Sequence, residues 1–598
     1  MRNPDNRLLP ARHLFPYGPA RMATGWGDDS FTKRNPRDTW QRGLGGLLDY
    51  ASATDTRAIV FVLIFSLLAF LPGQSKVPPI DRDEARFAQA TKQMVDSGDY
   101  VDIRFQNDVR YQKPIGIYWM QAASLHVAEF IARRDMTTRI YVYRVPSLIG
   151  AIGAVLATLW VAGMLVSRRA AILAAMMMAA SIMLGIEARL ARTDAMLLFM
   201  VVLCMGVLAR AYLPRAEDAR DHPALPFVFW IALGIGVLLK GPLILMLIGL
   251  PIVTLVAIDR SASWLKALRP LVGIPVFLLL VLPWFAAITM RTGSTFFSDS
   301  IGSDILKKVY SGQDGHGAPP GYFLVLFFLT FWPASLLAGM AVPGVWREKW
   351  ETPVKFLLAW VVPSWIVFEL VVTKLPHYVL PLYPAIAILL ARAIETGQMS
   401  SKTWMQRGTF WWFAVPVLVF VGALFLLLRY EGELGWQAWP FLAAAMVFGF
   451  RAWWLYEVDG IERSLLRAAV TTVLLSIAVY WSVIPALQGL FPSVAIQSTM
   501  NVSGCKAPRI AAAGYHEPSI VFLSGTDTAL TSAAGAADFL KGGDDCRFAV
   551  VEQGLERTFA RRAEAIDLRY VQTSRFRGYS LGSGGRVSFT IYRSLGDR

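Results

Sequence analysis

The sequence predicts a polytopic α-helical membrane protein with a small extracytoplasmic α/β domain at its C-terminal end. Three observations carry that prediction. Of 598 residues, 55% are hydrophobic and 17% are charged, whereas soluble domains carry about 25% charged residues. The apolar residues gather into runs close to the roughly 20 needed to cross a bilayer. Past residue 490 the long runs stop, and short apolar segments alternate with turns such as Gly525-Thr526-Asp527 and Gly542-Gly543-Asp544-Asp545.

Thirteen segments read as spans: 57–73, 144–166, 169–186, 195–213, 224–239, 242–258, 270–289, 321–343, 354–372, 376–394, 409–428, 437–455 and 468–489. Lys240-Gly241-Pro242 interrupts a nearly continuous run and predicts a tight reversal between two short helices. Arg168-Arg169, Arg215, Arg220, Arg260, Lys266, Arg269, Arg347, Lys349, Lys402, Arg407, Arg463 and Arg467 fall on one side, which the positive-inside rule makes cytoplasmic. Loops 74–143, 187–194, 290–320, 373–377 and 429–436, together with the turn at Lys240, then lie outside. So does the region 490–598. Lys and Arg total 58 against 43 Asp and Glu. No basic domain or nucleic-acid motif accompanies the excess, so it is read as topology and not as nucleic-acid binding.

Residues 1–56 carry Pro, Gly and charge without a helical period, and read as a disordered basic cytoplasmic tail. No apolar h-region occurs near Met1, so the first span is expected to act as its own insertion signal. The span domain is 57–489, with a large first outer loop, 74–143. That loop holds two helical stretches, Glu84–Val95 and Ile115–Ile131. The domain 490–598 holds apolar runs at Ser519–Leu523, Phe548–Glu552 and Val587–Tyr592; the last alternates like a half-buried strand. Cys204 lies in an apolar run. Cys505 and Cys546 lie in the polar region, where sequence leaves open whether they pair.

The chemistry sits at span boundaries. Asp83 and Glu84 open a helix in the first outer loop, with Arg86 on the same face as Asp83. Asp194 follows Glu187, Arg189 and Arg192 between two apolar runs. It is read as a second carboxylate facing Asp83, with arginines for an anionic group. Lys113, Lys240 and Lys374 each lie within two residues of a proline on the predicted outer side, a placement that suits phosphate. Interfacial anchoring is the alternative reading of such lysines, and three on one predicted face weaken it without removing it. The six histidines show no metal-ligand spacing, and Walker A and Gly-x-Ser-x-Gly motifs are absent.

Taken together these residues resemble the GT-C class of lipid-carrier-dependent glycosyltransferases. The likeness is greatest to the branch holding the bacterial aminoarabinose transferase of lipid A and the dolichyl-phosphate-mannose protein mannosyltransferases. The carrying residues are Asp83-Glu84-Ala-Arg86-Phe-Ala, Val101-Asp-Ile-Arg104-Phe, Tyr111-Gln-Lys113-Pro114-Ile-Gly-Ile-Tyr118-Trp119, Arg144-Val-Pro-Ser, Arg192-Thr-Asp194, Lys240-Gly-Pro242, Lys374-Leu-Pro-His377-Tyr378 and Gly514-Tyr-His-Glu517-Pro-Ser. The resemblance implies an inverting transfer of a sugar from a polyprenyl phosphate to an envelope acceptor: lipid A, another glycolipid or, less favoured, a protein hydroxyl. It implies a bacterial inner-membrane enzyme with its site facing the periplasm. Asp83 is then the main catalytic carboxylate, with Asp194 and Glu84 as the other acids. Arg86, Lys113, Arg189, Arg192, Lys240 and Lys374 are expected on substrate, with Tyr111, Tyr118, His377 and Tyr378 along its path. No organic cofactor is implied, and a divalent metal is left open. Gln112 departs from relatives that carry an acid before Lys-Pro, which bears on the donor sugar. A transporter or flippase for lipid-linked sugars is the alternative from another class. Such a protein places its charges near the midplane, often between inverted repeats.

Overall fold

The computed structural model describes residues 44–81, 83–213, 223–293, 295–298, 317–430, 435–505, 507–542, 546–582 and 584–595. Most of the expected basic tail, most of the loop 290–320, part of 429–436 and the Gly543-Asp544-Asp545 turn lie outside these residues. The end of the tail is ordered, because Leu44–Ala51 is a helix whose Leu48 and Ala51 are buried.

All thirteen predicted spans are helical. Among the described residues, seven helices are long and apolar enough to cross a membrane: Ile140–Ala162, Asp194–Tyr212, Pro270–Thr292, Thr352–Leu370, Pro376–Glu395, Thr403–Tyr430 and Tyr456–Ala486. Tyr322–Thr330 and Ser335–Arg347 form an eighth, bent by 119°. Asp55–Phe70, Arg168–Ala180 with Ile182–Glu187, Leu225–Lys240, Leu243–Asp259 and Trp439–Trp454 are shorter and complete the bundle. The chain is thus a multi-pass membrane protein. Gly241 makes the reversal after Lys240 at φ 65°, ψ −143°, where a side chain is strained.

The two ends of the bundle differ chemically. At one end Arg168 pairs with Asp55, Arg169 with Asp49 and Glu462, and Arg392 with Glu348 and Glu351. Arg168 and Arg169 are among the basic positions the sequence groups on one side. The segment that starts at Arg168 ends at Glu187, so Glu187 and its neighbours mark the other end. There the first outer loop folds into the helices Asp83–Ser97 and Gly116–Ala132 and a short hairpin, β1 (Arg104–Phe105) against β2 (Asp108–Val109).

The C-terminal domain packs on that loop. It holds β3 (Arg509–Ala513), β4 (Ala529–Thr531), β5 (Arg547–Glu552), β6 (Tyr570–Tyr579) and β7 (Arg586–Ser594), in the order β4-β3-β5-β7-β6. β3 runs parallel to β4 and β5, while β7 is antiparallel to β5 and β6. The middle strands are covered on both faces, so β3 and β5 read as near-continuous apolar runs. Ile496, Ile520 and Val521 cover one face, and Ala536, Leu540 and Phe559 the other. The apolar run Ser519–Leu523 is therefore a helix, Pro518–Ser524, opened by a proline in its first turn. Cys505 and Cys546 form a disulfide, Cα–Cα 5.6 Å, which settles the pairing left open by sequence.

Docking is polar around an apolar pin. Ser519 N–H donates to Asp81 Oδ1 at 2.9 Å, Gln89 Nε2 to Thr526 Oγ1 at 2.9 Å, and Gln106 Nε2 to the Thr528 carbonyl at 2.7 Å. Phe522 inserts beside Ala88 and Leu125 and meets Tyr143 edge-on.

Candidate active site

Asp83 and Glu84 are adjacent in the chain and have opposite fates. The helix Asp83–Ser97 turns Glu84 inward. Its carboxylate is 1% exposed and accepts four hydrogen bonds: Arg144 Nε at 2.7 Å, Arg144 Nη2 at 2.9 Å, and the Ile80 and Ala191 N–H groups at 2.9 Å. Arg144 spends its remaining donors on the carbonyls of Gln74, Val77 and Pro78. Every lone pair is engaged, so Glu84 has none left for a substrate. Expected among the catalytic acids, it instead ties the first outer loop to the spans Ile140–Ala162 and Asp194–Tyr212.

Asp83 points the other way and is 46% exposed. Arg192 Nη2 donates to its Oδ2 at 2.7 Å. Burial works to raise its pKa, but Arg192, then Arg110, Lys113 and Arg86, outweigh it and hold the carboxyl below its usual range. Asp83 is therefore an anion at neutral pH, ringed by four cations.

Arg192 also links Asp83 electrostatically to a second cluster, formed by Glu187 and Asp194. Asp194 opens the helix Asp194–Tyr212, where a carboxylate suits the dipole. Lys240, the last residue of Leu225–Lys240, donates to Asp194 Oδ1. The Lys240 ammonium lies 5.5 Å from the Tyr378 ring centroid. His377 Nε2 is 3.5 Å from Asp194 Oδ1, and its Nδ1 is 3.7 Å from Glu187 Oε1. The fold therefore gathers Asp83, Arg86, Lys113, Arg192, Asp194, Lys240, His377 and Tyr378 at one end of the bundle.

Four expected site residues do other work. Arg189 is buried, with Nε 2.7 Å from the Pro72 carbonyl and further bonds to the Gly185 and Ala69 carbonyls. It closes helix C-termini, and it also lines the cavity shared with Ile186, Leu190, Arg192 and Tyr480. Lys374 is 3% exposed and donates to the Glu369 and Val371 carbonyls, capping Thr352–Leu370. Tyr111 donates to Asp102 Oδ1 at 2.8 Å and packs edge-on to Phe296, buried in the core shared with the bundle. Tyr118 is fully buried beneath Arg110, and burial raises its pKa. Two participants were missed. Sequence alone gives Glu187 no role beyond its place before Asp194 and does not single out Arg110, whose position next to Tyr111-Gln112-Lys113 is the readable signal for it.

The arrangement offers an ionised carboxylate, a second carboxylate and several cations at the rim of a helical bundle. It can hold an anionic leaving group and orient or deprotonate a nucleophile. The fold has a solved counterpart. It matches the crystal structure of ArnT from Cupriavidus metallidurans bound to undecaprenyl phosphate with a TM-score of 0.68, 17% identity, covering 90% of this chain and 98% of that one. The apo structure of the same ArnT matches equally, at 0.68 and 16% identity over 89% of this chain and 97% of that one.

Sequence adds a narrower likeness. Residues 136–294 match the family dolichyl-phosphate-mannose-protein mannosyltransferase. Over 350 residues the chain is 27% identical to the undecaprenyl phosphate-alpha-4-amino-4-deoxy-L-arabinose arabinosyl transferase of Pectobacterium carotovorum, covering 57% of this chain and 59% of that protein. The transferase of the same name from Yersinia pseudotuberculosis is 27% identical over 344 residues, 56% of this chain and 59% of that protein. The chain thus spans under two thirds of the length of the relatives it matches.

Proposed function

We propose that the protein is a glycosyltransferase of the bacterial inner membrane. It moves a sugar from a polyprenyl-phosphate carrier to lipid A or another envelope glycolipid, at a site on the periplasmic face. The observation that carries this reading is Asp83, held as an anion by Arg192, Arg110, Lys113 and Arg86 and coupled through Arg192 to Asp194.

The chemistry follows from that charge pattern. The bond from the sugar's anomeric carbon to the carrier's phosphate oxygen breaks, and the polyprenyl phosphate leaves with the electron pair. Lys113, Arg86 and Lys240 are the cations placed to meet that anion. The acceptor oxygen attacks from the opposite face, which inverts the centre. For a hydroxyl acceptor, Asp83 takes the proton. For a phosphate acceptor no proton moves, and Asp83 positions the reactants. A cavity of about 140 Å³ is walled mainly by Val77, Ile80, Ile186, Leu190, Tyr480 and Ile484, with Asp81, Glu84, Arg189 and Arg192 also in its lining; voids of similar size hold one small apolar molecule, and an isoprenoid unit next to a phosphate is of that kind.

The periplasmic orientation rests on two supports. The basic end of the bundle is opposite the site, and the disulfide lies in the domain docked on the site's loop. Transfer to a protein hydroxyl is the second reading, favoured by the mannosyltransferase match over residues 136–294. Transport is disfavoured because the charges lie at one end and not at the midplane.

The test is mass spectrometry of envelope lipids and proteins from cells with and without the gene, paired with vesicles holding purified protein and lipid-linked sugar. A sugar-sized mass increase on an envelope lipid, lost on deletion, is expected. The increase on protein selects the second reading. Donor movement across vesicles with no new mass overturns both.

A further inference from the structure

Among the described residues three arginines are buried: Arg110, Arg144 and Arg189. Two of them are well paired. Arg144 meets the Glu84 carboxylate and three carbonyls, and Arg189 meets three carbonyls. Arg110, 7% exposed, differs. Its Nη1 donates to Gln112 Oε1 at 3.2 Å, its Nε is buried without a partner, and it makes no ion pair among the described residues. The fully buried Tyr118 hydroxyl lies against it, and that oxygen and Nε form no hydrogen bond of good geometry.

The fold sets this guanidinium beside Asp83. Arg110 follows β2, and its backbone N–H donates to the Ile103 carbonyl at 2.8 Å. Its guanidinium carbon is 4.9 Å from the centroid of the Phe87 ring, which packs 5.5 Å from the Tyr118 ring. Phe87 is four residues on from Asp83 in the helix Asp83–Ser97, so the two share a face. Asp83 itself is taken by Arg192 at 2.7 Å. One carboxylate thus serves four cations. Stacking on Phe87 offsets less than a buried charge without its own anion costs.

We propose that Arg110 is the centre of a subsite for a substrate oxyanion other than the leaving phosphate: a carboxylate on the transferred sugar or a phosphate on the acceptor. Lys113, Arg86 and Lys240 already stand for the leaving phosphate, so Arg110 is in excess of that need. A guanidinium presents a planar fork that takes a carboxylate or phosphate through two parallel bonds. Gln112, bonded to Nη1, steadies the fork and adds amide N–H donors. The Tyr118 hydroxyl is a further donor. This set fits an oxyanion and repels an ammonium. The identity of the two substrates rests on the transferase reading. Binding is measured without turnover, so failure of the subsite is distinct from failure of that reading.

The experiment uses the full chain in lipid nanodiscs and measures dissociation constants for two ligand pairs. One pair is polyprenyl-phosphate glucose against polyprenyl-phosphate glucuronate. The other is dephosphorylated against phosphorylated lipid A. Wild type is expected to prefer the oxyanion-bearing member of at least one pair by about tenfold or more, the scale of a hydrogen bond to a charged group. A preference in the first pair assigns the oxyanion to the donor, and in the second to the acceptor. Arg110→Gln is expected to bring that ratio within about twofold of unity, the loss of such a bond. Arg110→Lys keeps the charge without the fork and is expected to leave an intermediate ratio. No preference in wild type, or a wild-type ratio in folded Arg110→Gln, overturns the proposal. If Arg110→Gln does not fold, Arg110→Lys decides: a lowered ratio supports the subsite and an unchanged one overturns it. If neither variant folds, the guanidinium is scaffold and the proposal is overturned.

Discussion

Two buried glutamates at the same end of the bundle are handled in opposite ways. Glu84 accepts four hydrogen bonds, two of them from the fully buried Arg144. Glu187 is buried to the same 1% exposure and accepts none. Asp81 lies between them: it is buried and accepts the Ser519 N–H at the docking seam of the C-terminal domain. The contrast separates acids that build the scaffold from an acid left outside it. Saturated carboxylates hold the loop in place, and chemistry is left to groups with free lone pairs, such as Asp83.

The largest way to break this comparison is to empty the Glu84 knot. Arg144→Met strands a buried carboxylate and is expected to cost about 3–5 kcal/mol. The readout is loss of monodisperse protein in detergent and a lower melting temperature. Adding Glu84→Gln to that variant is expected to recover part of the loss, because the stranded charge is then gone. A wild-type melt for Arg144→Met contradicts the scaffold role.

Asp81 sharpens the comparison through pH. Burial is the main cause that lifts its pKa from 3.8 to about 6, partly offset by its bonds to Ser519. A folded pKa above the unfolded one means that the folded state binds more protons between those values. Stability then falls as pH rises from about 4 to 6, by on the order of 2–3 kcal/mol, and stays lower above that window. Asp81→Asn removes the titration. Melting curves from pH 4 to 7 are expected to flatten in that window relative to wild type; an unchanged slope contradicts it.

The smallest effect is expected at Glu187. Replacing an uncompensated buried ion by a neutral isostere is often neutral or stabilising. Glu187→Gln is expected to melt within about 1 kcal/mol of wild type, or higher. A loss as large as that of Arg144→Met would show that Glu187 is held by bonds equal to those of Glu84.

Much of this was legible in the sequence. Apolar runs located every span, and Lys240-Gly241-Pro242 gave the reversal that puts Lys240 at a helix end. Pattern also brought Asp83 and Asp194 together, because both fall at boundaries on the predicted outer side. Partnership was not legible. Glu84 and Arg144 are 60 residues apart, and nothing local says which of two adjacent acids turns inward. Arg189 and Lys374 look like Lys113 on paper, since sequence does not show which cations are spent on backbone carbonyls. Glu187 and His377 meet only because three helix ends converge, so no spacing motif announces them.

The most direct measurement of the central claim is turnover of Asp83→Asn against wild type. Protein in lipid vesicles is supplied with a polyprenyl-phosphate sugar and an envelope lipid acceptor. Asp83 is half-exposed and its short ion pair is with Arg192, so folding is expected to survive the change. The transferase account predicts a fall of about 10²- to 10⁴-fold in turnover at an unchanged melting temperature. Turnover within about twofold of wild type, beyond the reach of such a catalytic role, would contradict it.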